Sequence, residues 1–377
     1  MRWIMLLIAL MISFGAFADM LLVGAGSPPT TGSSNIYACY PRIATTVGTP
    51  SDDFVSSDIT ALDASLAALP GSCTKTYPMW NGINSPDLTN GATNTSMKSA
   101  RMKYIRSGIE WEHNCNSDGS IDTTDGDYTG SLAFIAKANS NGFIPHIVIS
   151  SGGINPPGIG AYDGVNGTNT AHAYAVFATY AANLVSGYAN NTYFELWNEV
   201  ELGKFTRIFG DGVDTEYNQG LNYAHMLKLA VPAMKAVRSS IKIILGGLSD
   251  PDHMDFINGI YDGGGGPYID IWNIHIYGTI EDRLVGFGTM VRQAMEFHGD
   301  TYKPLWCTEW GNISGGSTQA TAITNFVQRN YTYGICDVLE VYAYNDDGWS
   351  MFPNQPSSNN PSQAMQWMMT NAAAYFH

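Results

Sequence analysis

Two glutamates stand out because of what surrounds them. Trp197-Asn198-Glu199 closes an apolar run that begins at Tyr193, and Thr308-Glu309-Trp310-Gly311 closes another that begins at Pro304. Each carboxyl sits beside a tryptophan, with few Lys or Arg nearby. Two carboxyls held face to face can cleave an acetal. One protonates the departing oxygen, and the other attacks the sugar carbon or activates a water. A lone Glu at the end of such a run is more often a surface group. Two of them in the same aromatic setting point to glycoside hydrolysis.

Such a pair works only if the backbone brings its members together. From residue 77 onward, apolar and β-branched runs alternate with helical patterns. The pattern predicts strands over Tyr77–Asn84, Tyr104–Trp111, Phe143–Ser150, Thr192–Asn198, Ile241–Leu248, Tyr268–Tyr277, Pro304–Trp310 and Val338–Tyr344. It predicts helices over Thr93–Lys103, Ser131–Asn141, Thr170–Gly187, Thr215–Ser239, Pro251–Tyr261, Glu281–His298, Thr318–Tyr333 and Pro361–Tyr375. This alternation calls for parallel strands, and their nearly unbroken apolar character fits strands covered on both faces. The length of 77–377 suits an α/β fold of the (β/α)8 TIM-barrel type, with 19–76 as a short N-terminal extension packed on it. The competing fold, an open doubly wound sheet, needs a glycine-rich phosphate turn after its first strand, and Asn81-Gly82-Ile83-Asn84 is not one. Barrel chemistry gathers at the C-terminal strand ends. Strands four and seven, which end in Glu199 and Glu309, lie nearly opposite each other.

Trp197-Asn198-Glu199 followed far downstream by Thr308-Glu309-Trp310-Gly311 resembles the clan A retaining glycoside hydrolases. The resemblance covers the barrel, 77–377. It implies that Glu199 is the general acid/base, Glu309 the nucleophile, and Asn198 a hydrogen-bond partner of the sugar 2-hydroxyl. It also implies carboxyls about 5–5.5 Å apart. Arg106, in Tyr104-Ile105-Arg106-Ser107-Gly108, matches the clan's strand-two arginine beside the nucleophile, where a cation favours a charged carboxylate. His275 and Tyr277, in Ile274-His275-Ile276-Tyr277-Gly278, match its strand-six pair. Many members carry Pro after the acid/base Glu, where this chain has Val200 and Glu201, so no family within the clan is assigned. The β-xylosidase/iduronidase-like and endoglucanase-like families are nearest in pattern. The same barrel could instead serve a transglycosylase, or a non-catalytic carbohydrate-binding protein, though a protein of the latter kind usually loses one of the two glutamates.

Other groups near the barrel mouth carry two readings each. Glu110 shares parity with Arg106 and either contacts substrate hydroxyls or faces solvent, as does Glu112. His146 either lines the cleft floor or is a satisfied core histidine. Trp310, Trp349 and Tyr344 are candidates for stacking on a sugar ring, with core packing as the alternative. Asp118, Asp122, Asp125 and Asp127 crowd one loop. Their spacing is not that of an EF-hand, so a solvated loop with Asp127 helping to cap the next helix is preferred to a calcium site. Gly263–Gly266 lacks the Lys-Ser/Thr of a phosphate loop. No zinc-ligand spacing is seen, and no cofactor is expected.

Composition supports an uncharged partner. The chain has 377 residues, 18 Lys+Arg against 33 Asp+Glu and a formal charge of −15; it is 45% hydrophobic and holds 9 Trp and 21 Tyr. That much apolar surface excludes disorder, and so acidic a chain offers no basic surface for nucleic acid. Arg2, the apolar stretch Trp3–Phe14 and Ala16-Phe17-Ala18 read as a signal peptide over 1–18. The stretch is shorter than the ~20 residues that span a bilayer. The expected mature protein is secreted or periplasmic, with a carbohydrate substrate and no membrane partner; the sequence sets no oligomeric state. The five cysteines leave at least one thiol free; either Cys39 and Cys73 pair, or all five are buried small hydrophobes.

Overall fold

The computed structural model describes residues 79–377 apart from 85, 152–154, 157, 165, 203–207, 211–213, 250–253, 279, 312–315, 343–350 and 352–360. The expectations for the signal peptide, the N-terminal extension, Cys39–Cys73, Tyr344 and Trp349 lie outside the described residues.

Eight strands alternate with helices: β1 (Trp80–Asn84), α1 (Gly91–Ser99), β2 (Met102–Glu110), α2 (Gly126–Asn141), β3 (Ile144–Ser150), α3 (Thr168–Gly187), β4 (Tyr193–Leu196), α4 (Glu216–Val237), β5 (Lys242–Leu245), α5 (Met254–Asp262), β6 (Trp272–Ile276), α6 (Ile280–Phe297), β7 (Leu305–Trp310), α7 (Gly316–Tyr333), β8 (Val338–Val341) and α8 (Gln363–Tyr375). The strands pair in parallel in the order β5-β4-β3-β2-β1-β8-β7-β6. The circle is completed by the bridges Ile244↔Ile271 and Leu248↔Ile274 between the β5 and β6 segments. This is the expected (β/α)8 barrel, and all described residues fall in one unit, Ile36–His377.

Two layers fill the barrel interior below its mouth. At the N-terminal end, Tyr104, Ile244, Ile271, Trp306 and Val338 form an apolar cluster of their own, with Trp80, Ile144 and Tyr193 packed on it. Trp306 touches both Tyr104 and Tyr193, at ring-centroid distances of 4.8 and 5.3 Å. This plug closes the bottom of the barrel to water. One pleat higher, the inward positions turn polar: Arg106, His146, Glu195, Asn273, Thr308 and Glu340, all buried. The mouth lies above them. Between strands and helices runs the larger aliphatic and aromatic core.

The strands are shorter than the apolar runs that predicted them, except β2, which starts two residues earlier, at Met102. Trp111 opens a single helical turn, Trp111–Asn114, rather than closing β2, and is buried against Phe177 and Trp197. Helix α2 begins five residues before the expected Ser131, and its N-cap is Asp125, which accepts from Asp127 N–H. Asp118 and Asp122 likewise accept from backbone N–H groups in their own turns. The acidic loop therefore uses its carboxylates as turn and cap acceptors. Cys115, Cys307 and Cys336 are free and buried. Among the described residues, no helix is long and apolar enough to cross a membrane.

Candidate active site

The two glutamates meet at the mouth because both strand ends break the two-residue alternation. In an extended β4, Glu195, Trp197 and Glu199 would share one face. Instead Trp197 and Glu199 adopt positive φ, 79° and 44°. Left-handed backbone at non-glycine residues costs about 1–3 kcal/mol and persists only where surrounding packing compensates. Trp197 supplies that packing. It turns out into the helix layer against Trp111, Phe177 and Phe209, with centroids 6.0, 5.6 and 5.0 Å away. Asn198 and Glu199 are left at the mouth.

β7 solves the same problem with a bulge. Its register against β6 slips between Cys307 and Glu309, and such an extra residue re-aims the side chains around it. Thr308 bonds inward to the buried amide of Asn273, 2.7 Å away, and Glu309 follows it into the cleft. Trp310 points the other way.

Glu309 is gripped from two sides. Arg106 Nη1 donates to Oε1, and the Tyr277 hydroxyl donates to Oε2. Burial and the Glu309 charge push the Tyr277 phenol far up, so it stays a donor. His275 Nδ1 stands 3.4 Å from Glu199 Oε1 and 3.7 Å from Glu309 Oε2. Burial alone would lower the His275 imidazole, but the two glutamates raise it overall. One oxygen of Glu199, one of Glu309 and a ring nitrogen of His275 all lie within 4.8 Å of one another.

Arg106 is the hub. Nε and Nη2 clasp Glu195, both at 2.9 Å. Nη1 also donates to Asn84 at 2.9 Å, and Nη2 to Asn198 Oδ1 at 2.7 Å. A guanidinium has five N–H bonds, and these five contacts use them all. Burial would lower the guanidinium, but Glu195 and Glu309 raise it further and leave it permanently charged. Burial would likewise raise the Glu195 carboxyl; Arg106 and His146 outweigh it and hold it well below the usual carboxylate range. Glu195 also accepts from Gly247 N–H at 3.1 Å. Gly247 must be glycine here, since a Cβ would lie 2.0 Å from His275 Nε2.

A cavity of about 210 Å³ opens above this assembly, lined by Asn84, Arg106, Glu110, Ser150, Asn198 and Glu309 among others. Of the residues expected at the site, the structure therefore brings together Glu199, Glu309, Arg106, Asn198, His275, Tyr277 and Glu110. His146 is fully buried below the cleft, between Glu195 and Glu340, which is the core reading of it. The expectation that Trp310 stacks on sugar is corrected: its ring is fully buried and stacked on Phe326 of α7, 4.3 Å between centroids and 13° between planes. Glu195, Asn84 and Thr308 were not anticipated. A glutamate inside a four-residue strand that is otherwise apolar, Tyr193-Phe194-Glu195-Leu196, carried the missed signal, because a buried carboxylate needs a partner.

Fold and site together define a barrel glycosidase with a carboxylate pair across its mouth. Residues 176–369 match the family model described as the glycosyl hydrolase catalytic core, and the chain belongs to that family. It therefore carries a glycosyl hydrolase catalytic core. No curated protein matches it in sequence. Among solved structures it is similar to a family 39 glycoside hydrolase from the gut symbiont Bacteroides cellulosilyticus WH2, with 18% identity and a TM-score of 0.58. That match covers 79% of this chain and 64% of the other, so the chain spans less than two thirds of that relative. It is also similar to a family 30 endoxylanase from Clostridium papyrosolvens C71 (15% identity, TM-score 0.56, 80% and 73% covered). A third is a family 1 β-glucosidase from Thermotoga maritima (11%, 0.55, 75% and 86%). These likenesses extend to the fold.

Proposed function

We propose that the protein is an exported retaining β-glycosidase, with Glu309 as nucleophile and Glu199 as acid/base. The observation that carries this reading is the approach of the two carboxylates, with an oxygen of each within 4.8 Å of the other. Retaining enzymes hold their carboxyl groups about 5–5.5 Å apart, whereas inverting ones leave about 6.5–9.5 Å for a water.

In the first step an oxygen of Glu309 attacks the anomeric carbon and the bond to the leaving oxygen breaks. The electron pair goes to that oxygen, which takes the proton of Glu199. A glycosyl ester of Glu309 results. Water then enters, gives its proton to Glu199 and attacks the same carbon, and Glu309 leaves as carboxylate. Two displacements restore the original configuration. Arg106 and Tyr277 aim the nucleophile. Arg106 also fixes Asn198 by its oxygen, which presents the amide N–H2 to a sugar hydroxyl.

The substrate is an uncharged glycan. Arg106 is the cation lining the cavity among its described residues, and its five N–H bonds are all committed to the protein. No donor remains on it for a uronic acid or sulfate, and Glu110 adds a further negative charge. A panel of neutral and acidic polysaccharides and aryl β-glycosides, assayed with the wild type and with Glu309→Gln, tests the reading. Hydrolysis of a neutral member that disappears in E309Q is expected. Equal hydrolysis by E309Q overturns the nucleophile assignment, and a preference for uronic acid substrates overturns the substrate class.

A further inference from the structure

Beneath the carboxylate pair lies a second set of ionisable groups that the double displacement does not use. His146 of β3 stands between Glu195 of β4 and Glu340 of β8, and all three are 0% exposed. Its Nε2 is 2.9 Å from Glu195 Oε2. Its Nδ1 is 3.2 Å from both oxygens of Glu340. The barrel makes room for Glu340: Gly82 of β1 has no side chain where a Cβ would come within 2.8 Å of the Glu340 Cγ. The edge of Trp306 walls the imidazole from below, at 6.0 Å between centroids.

A count of donors bears on the state of this triad. A carboxylate only accepts, and a neutral imidazole offers one donor and one acceptor nitrogen. With a carboxylate on each ring nitrogen, a neutral ring would set a lone pair against one of them, inside a medium that screens charge poorly. Three carboxylates, Glu195, Glu309 and Glu340, would also face the single guanidinium of Arg106. A doubly protonated ring resolves both conflicts.

We propose that Glu340 and His146 are positioning residues for the nucleophile: His146 is an imidazolium strung between two buried carboxylates, and it sets Glu195 so that Glu195 can clasp Arg106, which in turn holds Glu309 and Asn198. The inference rests on the role proposed above for Glu309. The chain of contact is continuous, from Glu340 to His146 to Glu195, then through the two-point clasp to Arg106 and on to Glu309. The charged and titratable groups around His146 are Glu195 on β4 and Glu340 on β8. Arg106 is its register partner on the neighbouring strand β2 and spends its N–H bonds on Glu195, Glu309, Asn84 and Asn198, and His275 on β6 stands 4.0 Å from the Glu195 carboxylate. Burial lowers the imidazole, but Glu340 and Glu195 together raise it.

The test is Glu340→Gln, a change that keeps size and removes the charge. A carboxamide can donate to Nδ1, so the second proton on the ring is no longer required. Side-chain nitrogen NMR, with the His146 signals assigned by their loss in His146→Asn, reads the ring directly and needs no substrate. A doubly protonated ring at neutral pH in the wild type and a neutral one in E340Q is expected. With the neutral panel substrate, E340Q should lose about tenfold or more in kcat, with KM nearly unchanged. Glu340→Asp, which keeps the charge, should recover part of that loss. A neutral ring in the wild type overturns the proposal, and so does a folded E340Q with wild-type kcat. If E309Q proves fully active, the nucleophile assignment fails, while the state of the ring is still read independently.

Discussion

At the scale of single residues, the proposed chemistry rests on the two carboxylates and on the neighbours that aim them. Glu199→Gln removes the proton donor and should lower kcat by about 10²–10⁴ on substrates with a poor leaving group. With an activated aryl leaving group the first displacement needs no proton, so its rate, read as the pre-steady-state burst, should fall far less. A uniform loss in both cases would argue against the acid role. Trp310 belongs to packing: Trp310→Ala should destabilise the fold by about 3–5 kcal/mol, read by denaturant unfolding, and leave KM unchanged. A raised KM in a stable W310A would restore its sugar contact. Glu199, Glu309 and Tyr277 were legible because each sits in a short motif at a strand end, and Arg106 because the motif around it, in the middle of β2, matches the clan's strand-two arginine. Trp310 misled because its neighbour Glu309 faces the cleft, and only the bulge and the alternation beyond it decide which way the indole points. Glu195 and Glu340 were illegible as a pair: their partner His146 lies on a third strand, and nothing along the chain links the three.

At the scale of elements, local backbone geometry turns ordinary strands into a site. The positive φ at Trp197 and Glu199 and the bulge of β7 each send one more polar residue inward than simple alternation would. Sequence periodicity predicted the eight strands but overran their ends, since it registers burial and the turns after β2 and β4 are buried too. It also missed the first turn of α2, where Gly126 and Gly130 weaken the helical pattern that Asp125 caps. Gly247 is the sharpest test at this scale. Gly247→Ala would drive a methyl group into His275, so an overpacking cost of about 1–3 kcal/mol and a marked fall in kcat are expected. A G247A enzyme with normal kcat would show that the position of His275 does not matter.

At the scale of the whole molecule, the barrel keeps an aromatic plug, a layer of paired charges and an open mouth in one stack. The charge layer should make stability depend on pH. The Glu195 carboxyl is held low when folded, while unfolded glutamate titrates near ~4.3. Its contribution is therefore fully present above that value and is lost as the pH falls toward the folded value. Glu195→Gln strands a buried guanidinium and should cost about 3–5 kcal/mol at neutral pH. The Tm gap between wild type and E195Q should narrow as the pH drops below about 4. A gap constant with pH would mean that Glu195 is not ionised in the fold. The chain's excess of acid over base, visible at once in its composition, agrees with the proposed neutral substrate: among the described residues that line the cavity Arg106 is the cation, and its N–H bonds are all engaged. The central claim is double displacement across the Glu199–Glu309 pair. Proton NMR of the first sugar released from a β-linked substrate, recorded before mutarotation, tests it most directly. The β-anomer is the predicted first product; release of the α-anomer would contradict the account.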